Sequence, residues 1–201
     1  MHIKDLATVK AYHSERVARF GQDACEALGW KNDDSQRKRF EALLQLGDVS
    51  SRSVLDLGCG HGDLYPFLRQ HCGVFTYIGV DTMLDFLDVA VARYGKDPHT
   101  RFLLSDFSSP QLPVCDYVVC CGALNYRQSD PAYLRQTISR FFGLCTEGLA
   151  LSLLHRVDFA DGILVPTDPE QVWDICRDLN VNTDIQMADG EDFFTVLLTR
   201  D

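Results

Sequence analysis

The sequence predicts a doubly wound α/β protein with a mostly parallel sheet, helices on both faces and an antiparallel C-terminal hairpin. Three observations predict it. From residue 50 onward, short apolar runs alternate with helical patterns, which is the signature of parallel strands joined by crossover helices. The run Tyr117 to Cys121 is apolar throughout, as in a strand buried on both faces. The last two strand-like runs have no helix between them, so they form a hairpin and one runs antiparallel at or near the sheet edge.

Taken in order, the first 48 residues read as helical. Leu6, Val9, Val17, Phe20, Ala24 and Leu28 fall near a 3.6-residue period. A turn follows at Gly29 to Asn32, and a second helix capped by Asp33/Asp34 turns Phe40, Leu43 and Leu44 inward and ends at Gly47. Val54-Leu55-Asp56-Leu57 is a strand that runs straight into glycines. A helix from about Asp63 buries Leu64, Phe67 and Leu68. Val74 to Val80 is the second strand, and Thr82 caps the next helix, which carries Met83, Phe86, Leu87 and Ala90 and stops at Gly95. Phe102-Leu103-Leu104 and Tyr117 to Cys121 are strands three and four. Ser129-Asp130-Pro131 opens a helix with Leu134, Ile138, Phe141 and Phe142 that closes before Gly148. Leu149 to Leu154 is strand five. Thr167-Asp168-Pro169-Glu170 reads as a capping box for a helix holding Val172, Trp173 and Cys176. Val181 to Met187 and Phe193 to Thr199 form the closing hairpin around Ala188-Asp189-Gly190.

Composition narrows the function. The 201 residues fill a single domain, 1–201, and are 46% hydrophobic, which is ordinary for a globular protein. The 29 Asp+Glu outnumber the 19 Lys+Arg, giving a net charge of −10, the opposite of a nucleic-acid or anionic-membrane footprint. The dense basic stretch Arg37-Lys38-Arg39 has acidic neighbours at Asp33, Asp34 and Glu41 and reads as a solvated helix face. No apolar run approaches a membrane span, and the N-terminal residues lack the apolar core of a signal peptide. The eight cysteines form no C-x-x-C pair, so no metal site is expected, and reduced thiols in a cytoplasmic protein are the default.

The most informative segment is Leu55-Asp56-Leu57-Gly58-Cys59-Gly60-His61-Gly62-Asp63. A strand ends in a glycine turn that feeds a helix, a site for a nucleotide-like cofactor at the carboxyl ends of the strands. The dinucleotide pattern G-x-G-x-x-G is absent: Asp63 stands where its third glycine belongs, and Asp56 lies two residues before Gly58. Carboxylates at both places suit an ammonium-bearing cofactor better than a pyrophosphate. Asp81 follows strand two, 23 residues after Gly58, near the spacing at which an acid holds ribose hydroxyls. Asp106 follows strand three in Leu104-Ser105-Asp106-Phe107, where it can accept from an exocyclic amine. Cys59 is a small loop residue rather than a redox thiol, and His61 is expected at the surface.

With these residues the chain resembles the class I S-adenosylmethionine-dependent methyltransferases, specifically small uncharacterised bacterial ones. Four motifs occur in order, at Val54 to Leu64, Tyr77 to Met83, Phe102 to Phe107 and Asp116 to Tyr126, and the likeness covers roughly residues 50 to 200. It implies a seven-stranded Rossmann-like sheet: a cofactor-binding core at 50–200 and a helical lid at 1–48. It implies S-adenosylmethionine as cofactor and S-adenosylhomocysteine as product. Asp56 would orient the methionyl end, and Gly58, Cys59 and Gly60 would pass under the cofactor. Asp81 would bind the ribose, with Thr82 and Met83 beside the adenine. Ser105, Asp106 and Phe107 would hold its amine edge, and Cys121 and Gly122 would end strand four near the sulfonium.

The expected reaction is in-line methyl transfer. The segment Cys121-Gly122-Ala123-Leu124-Asn125-Tyr126 lacks the Asn/Asp-Pro-Pro-aromatic element of base-methylating enzymes. A small-molecule acceptor is therefore the first expectation and a protein acceptor the second; the oligomeric state stays open. No catalytic residue is fixed by the sequence. The candidates are His155, a general base available near neutral pH, then Tyr126 and Tyr12, with Asn125, His13 and Arg156 near the same mouth. The competing readings are a non-catalytic adenosylmethionine-binding regulatory module and a nicotinamide-dependent oxidoreductase, which would need the missing glycine.

Overall fold

Short β-branched and leucine-rich runs pair into one seven-stranded sheet. A computed structural model describes residues 1–158, 162–179 and 181–200. The strands are β1 (Ser53–Leu57), β2 (Thr76–Asp81), β3 (Thr100–Leu104), β4 (Cys115–Cys121), β5 (Cys145–Leu154), β6 (Asn182–Met187) and β7 (Phe193–Thr199). Their order is β3-β2-β1-β4-β5-β7-β6. The first five pair in parallel, and β7 runs antiparallel to both β5 and β6. Strand order reverses between β1 and β4, which opens a crevice at their carboxyl ends.

Strand alternation divides the core between two faces. Leu55, Leu57, Val118 and Cys120 point toward α5 (Tyr133–Gly143) and α6 (Pro169–Asp178), where Ile138, Phe141 and Val172 are fully buried. Val54, Tyr77, Val119 and Cys121 point toward α2 (Asp33–Leu43) and α3 (Leu64–His71), which bury Phe40, Leu43, Leu64 and Leu68. The helix α4 (Leu84–Tyr94) follows β2. The N-terminal helix α1 (Ile3–Phe20) and a single 3-10 turn at Cys25–Leu28 lie across the carboxyl end of the sheet, where Ala27 packs on Met83 and Phe86.

Several boundaries differ from the sequence pattern, each for a local reason. The first helix stops at Phe20 because Gly21 turns left-handed at φ 86°, so Ala24 lies outside it. The second is capped by Asn32, whose side chain and Ser35 form a reciprocal capping box, rather than by Asp33 or Asp34. Thr82 caps nothing: the Met83 N–H donates to Asp81 Oδ1, and Met83 is the N-cap of α4 without a side-chain bond to the helix. Asp130 Oδ1 takes the Ala132 N–H in a local turn, and Ser129 donates to Asp5, so α5 starts only at Tyr133. Strand five begins four residues early, at Cys145. Asp168 alone caps α6, and Trp173 points outward at 49% exposure while Ile175 takes the inward position. Phe67 is half-buried and Tyr65 is buried in its place. In α2 the basic run splits. Arg37 and Lys38 are solvated and paired with Asp34, but Arg39 is buried.

Candidate functional site

The glycine loop owes its course to residues with no side chain. Gly58, Gly60 and Gly62 have φ of 82°, 53° and 74°, which only glycine adopts without strain. Space is equally restrictive: a Cβ on Gly58 would lie 2.3 Å from the Ala123 Cβ, and one on Gly60 would lie 2.7 Å from Leu28 Cδ2. The end of β2 holds the loop in place. The Gly58 and Cys59 N–H groups donate to the Val80 carbonyl at 2.8 and 3.0 Å, and the Gly60 N–H donates to Asp81 Oδ2 at 2.9 Å.

Over this loop lies a cavity of about 650 Å³, bounded by the strand ends below and by α1 and α2 above. Asp56, Gly58, Cys59 and Gly60 line it from the first strand and its loop. Asp81, Thr82 and Met83 line it from the second, Asp106 and Phe107 from the third, and Cys121 and Gly122 from the fourth. The sequence-nominated set therefore converges on one space, with three exceptions. Ser105 uses its N–H on the Asp81 carbonyl and lines a smaller adjoining hollow with Lys10 and Thr82. His155, expected as the base, holds its Nε2 against the Glu191 carbonyl at 3.1 Å and does not line the cavity. His61, expected at the surface, is 1% exposed and packs edge-on against Phe86.

The three acids differ in electrostatic state. Asp56 is 2% exposed and accepts the Tyr77 hydroxyl at 2.5 Å. Burial pushes its carboxyl up to about 7. Burial also raises Asp81, against which the Met83 and Gly60 N–H groups favour its charged form. Asp106 is partly buried, but the Ser108 hydroxyl and N–H outweigh that cost and hold it below the usual carboxylate value. Burial raises the Cys59 thiol well above its ordinary range and Cys121 to about 12, so neither is a ready nucleophile.

From above, Tyr12 and Tyr126 line the cavity as expected, and the structure adds the partner of Tyr126. The Tyr126 hydroxyl lies 2.7 Å from His13 Nε2, and His13 Nδ1 lies 3.0 Å from the Ala27 carbonyl. A carbonyl only accepts, so the proton sits on Nδ1 and Nε2 accepts from Tyr126. Burial pulls His13 down to about 4, so the ring is neutral near pH 7. Arg39 and Trp30 also face the cavity. The sequence pattern missed Arg39 because a basic triplet on a polar helix carries no mark of which member turns inward, and Trp30 because it lies in the turn before that helix.

Residues 54–148 match the family model of a methyltransferase domain. A protein of Geobacillus sp. (strain WCH70) named as a methyltransferase is 32% identical over 146 residues, 65% of this chain and 56% of that protein. An uncharacterised methyltransferase of Mycobacterium tuberculosis is 31% identical over 121 residues, 59% of this chain and 58% of its own. The chain thus spans a little over half the length of these curated relatives. Among solved structures, magnesium protoporphyrin IX methyltransferase from Synechocystis PCC 6803 with bound S-adenosylhomocysteine superposes with a TM-score of 0.72. It is 17% identical and covers 98% of this chain and 100% of its own. Human N-acetylserotonin methyltransferase in complex with S-adenosylmethionine gives a TM-score of 0.70 at 15% identity, over 100% of this chain and 60% of its own. Those identities speak for the fold alone, and the family model spans the glycine loop and the strands from β1 to the first residues of β5. Residues 54–148 are thus similar to a methyltransferase domain, and the chain as a whole shares the fold of solved methyltransferases.

Proposed function

We propose that the chain binds S-adenosylmethionine in this cavity and transfers its methyl group to a small-molecule acceptor, releasing S-adenosylhomocysteine. The observation that carries the reading is the convergence of Asp56, Asp81 and Asp106, from three successive strand ends, on the glycine loop. A Cβ at Gly58 or Gly60 would strike Ala123 or Leu28, which line the same cavity, and the bare loop backbone supports a close approach by a cofactor. Asp81 spends one lone pair of each oxygen on a backbone N–H and keeps others for ribose hydroxyls. Asp106 serves the adenine amine with Phe107 beside it, Thr82 and Met83 flank the base, and Asp56 faces the methionyl ammonium. Cys121 and Gly122 close the sulfonium end. When bound, the cofactor supplies a methyl group already activated on a sulfonium.

The chain's own task is to align the acceptor and exclude water. Leu6, Val9, Leu154, Ile163 and Leu164 give the remaining wall an apolar character suited to a small organic acceptor. The Tyr126 oxygen, with its proton held toward His13 Nε2, keeps lone pairs that accept from an acceptor O–H or N–H. Relatives of this fold named for magnesium protoporphyrin IX and N-acetylserotonin support a small-molecule class. The net charge of −10 disfavours a polyanionic acceptor. No helix among the described residues is long and apolar enough to cross a membrane, and no His/Cys/Asp/Glu group among them is arranged to hold a metal.

Two measurements test the reading. Calorimetry with S-adenosylmethionine and with NAD is expected to show heat for the former alone, and Asp81→Ala is expected to weaken binding by about 1–3 kcal/mol. Tight NAD binding without adenosylmethionine heat would overturn it. Labelled methyl from adenosylmethionine is then expected to pass to the small-molecule fraction of a cell extract and not to its protein or nucleic-acid fractions.

A further inference from the structure

Asn125 interrupts the apolar wall of the cavity. It follows Gly122 by three residues, is 3% exposed and lines the same space as Leu154, Ile163 and Leu164. Its polar atoms are spent one by one. The Asn125 N–H donates to the Gly122 carbonyl at 3.3 Å, and the Asn125 carbonyl accepts the Val165 N–H at 2.8 Å. In the side chain, Oδ1 accepts the Leu154 N–H at 2.9 Å. A backbone N–H only donates, so this bond fixes which end of the amide is oxygen and turns Nδ2 the other way.

That leaves Nδ2. It carries two donors and meets no acceptor among the described residues. It lies beside the strand end, 3.8 Å from where a Cβ on Gly122 would be. A buried amide donor without a partner is costly, and a ligand that offers it a lone pair recovers the cost. Asn125 is also held from three sides, so the donor keeps its direction without a ligand.

The next residue has the opposite sense. The Tyr126 hydroxyl donates to His13 Nε2 at 2.7 Å, so toward a ligand its oxygen only accepts. Tyr126 is fixed to the same wall, through an antiparallel bridge to Leu164 and the bond from the Arg127 N–H to the Ile163 carbonyl at 2.8 Å. A donor and an acceptor thus stand on consecutive residues, just past the Cys121-Gly122 end assigned above to the sulfonium. Such a pair reads two neighbouring atoms of a ligand at once.

We propose that Asn125 Nδ2 selects the methyl acceptor. The acceptor then carries an oxygen or nitrogen lone pair next to the O–H or N–H that Tyr126 receives, as in a hydroxyl or N–H flanked by a carbonyl, a carboxylate or a ring nitrogen. This inference rests on the methyl-transfer reading above and narrows its substrate class.

The test starts from the product. Labelled methyl from S-adenosylmethionine is passed to the small-molecule fraction of a cell extract, and the labelled product is isolated and analysed by mass spectrometry. The methyl is expected on oxygen or nitrogen, with a lone-pair oxygen or nitrogen on a neighbouring atom. A methyl on carbon, or on an isolated hydroxyl or amine, overturns the assignment and leaves the methyl-transfer reading standing. The labelled product then serves as the probe in equilibrium dialysis against wild type, Asn125→Asp and Asn125→Leu, each with S-adenosylhomocysteine. Both variants lack the donor, but only Asn125→Asp keeps an oxygen for the Leu154 N–H. Both are expected to hold the product about 10- to 100-fold more weakly, and only Asn125→Leu to lower the urea midpoint. Weakening confined to Asn125→Leu overturns the assignment, since Asn125 would then only support the fold. Calorimetry is expected to find the S-adenosylmethionine affinity of Asn125→Asp unchanged; a loss there also overturns it, since Nδ2 would then serve the cofactor. If wild type passes no label to that fraction, the methyl-transfer reading falls and this assignment with it.

Discussion

Asp56 shows how one buried carboxyl links protonation to both stability and binding. Its value of about 7 lies above the roughly 3.9 of an unfolded aspartate, so the native state holds a proton the unfolded state has released. Stability from this group is therefore highest below about pH 4, declines as pH rises toward 7, and is flat beyond. A ligand ammonium reverses the preference by favouring the carboxylate. Adenosylmethionine affinity is expected to rise with pH up to about 7, and binding near pH 6 to release a proton, read as a buffer-dependent enthalpy. Asp56→Asn is expected to abolish that release, and a wild type that releases none would refute the role. The second residue-scale case is Tyr126. Replacing it with Phe leaves His13 Nε2 without its donor, and a shift of the urea midpoint worth about 1–3 kcal/mol is expected, with an unchanged slope. Neither His13 nor Arg39 could be ranked from sequence, because both lie on helices whose inward face is set by what the helix packs against. The acids at strand ends were legible because strand polarity alone puts them on one rim.

Elements were read well where periodicity and length agree and poorly at their ends. The apolar runs of β1, β2 and β4 stand out because both sheet faces are covered. The first four residues of β5, Cys145-Thr146-Glu147-Gly148, look like a loop; they belong to the strand because Cys145 and Gly148 pair with Cys115 and Tyr117 of β4 across a register shift, and Gly148 pairs with Thr199 of β7. Helix starts were misread where an Asp or Thr close by offered a plausible cap, as at Thr82, where α4 starts after Met83 with no side-chain cap and Asp81 holds only the Met83 N–H. The loop after β1 makes the sharpest element-scale test. Gly58→Ala must strain a φ of 82° and drive a methyl into Ala123, and a loss of at least about 1–3 kcal/mol is expected, with cofactor affinity falling as well. Gly143→Ala, with open space around it at the end of α5, is expected to be neutral or stabilising by about 0.4–1 kcal/mol. Comparable thermal shifts for the two variants would contradict this account of the loop.

Over the whole molecule, the net charge of −10 separates into parts with different work. Asp34, Glu41 and Asp178 pair with exposed arginines, while the cavity keeps its acids at the strand ends and a buried cation opposite. Thiol chemistry reads the same packing from outside. Of the eight free cysteines only Cys25 and Cys72 are half-exposed, so an aromatic disulfide reagent is expected to titrate no more than these two in the native protein and all eight after unfolding. Cys72 should react first, because burial and the adjacent Asp33 and Glu26 push Cys25 up to about 12. Finally, the sheet order sets a timetable. β7 comes last of the strands in sequence, yet it lies inside the sheet, between β5 and β6. During synthesis, until residues 193–199 leave the ribosome, the outer edge of β5 is bare along seven paired positions and β6 has no partner. A nascent chain paused at that point presents an open, apolar strand edge, so chaperone capture and misassembly are concentrated in the interval before β7 is released.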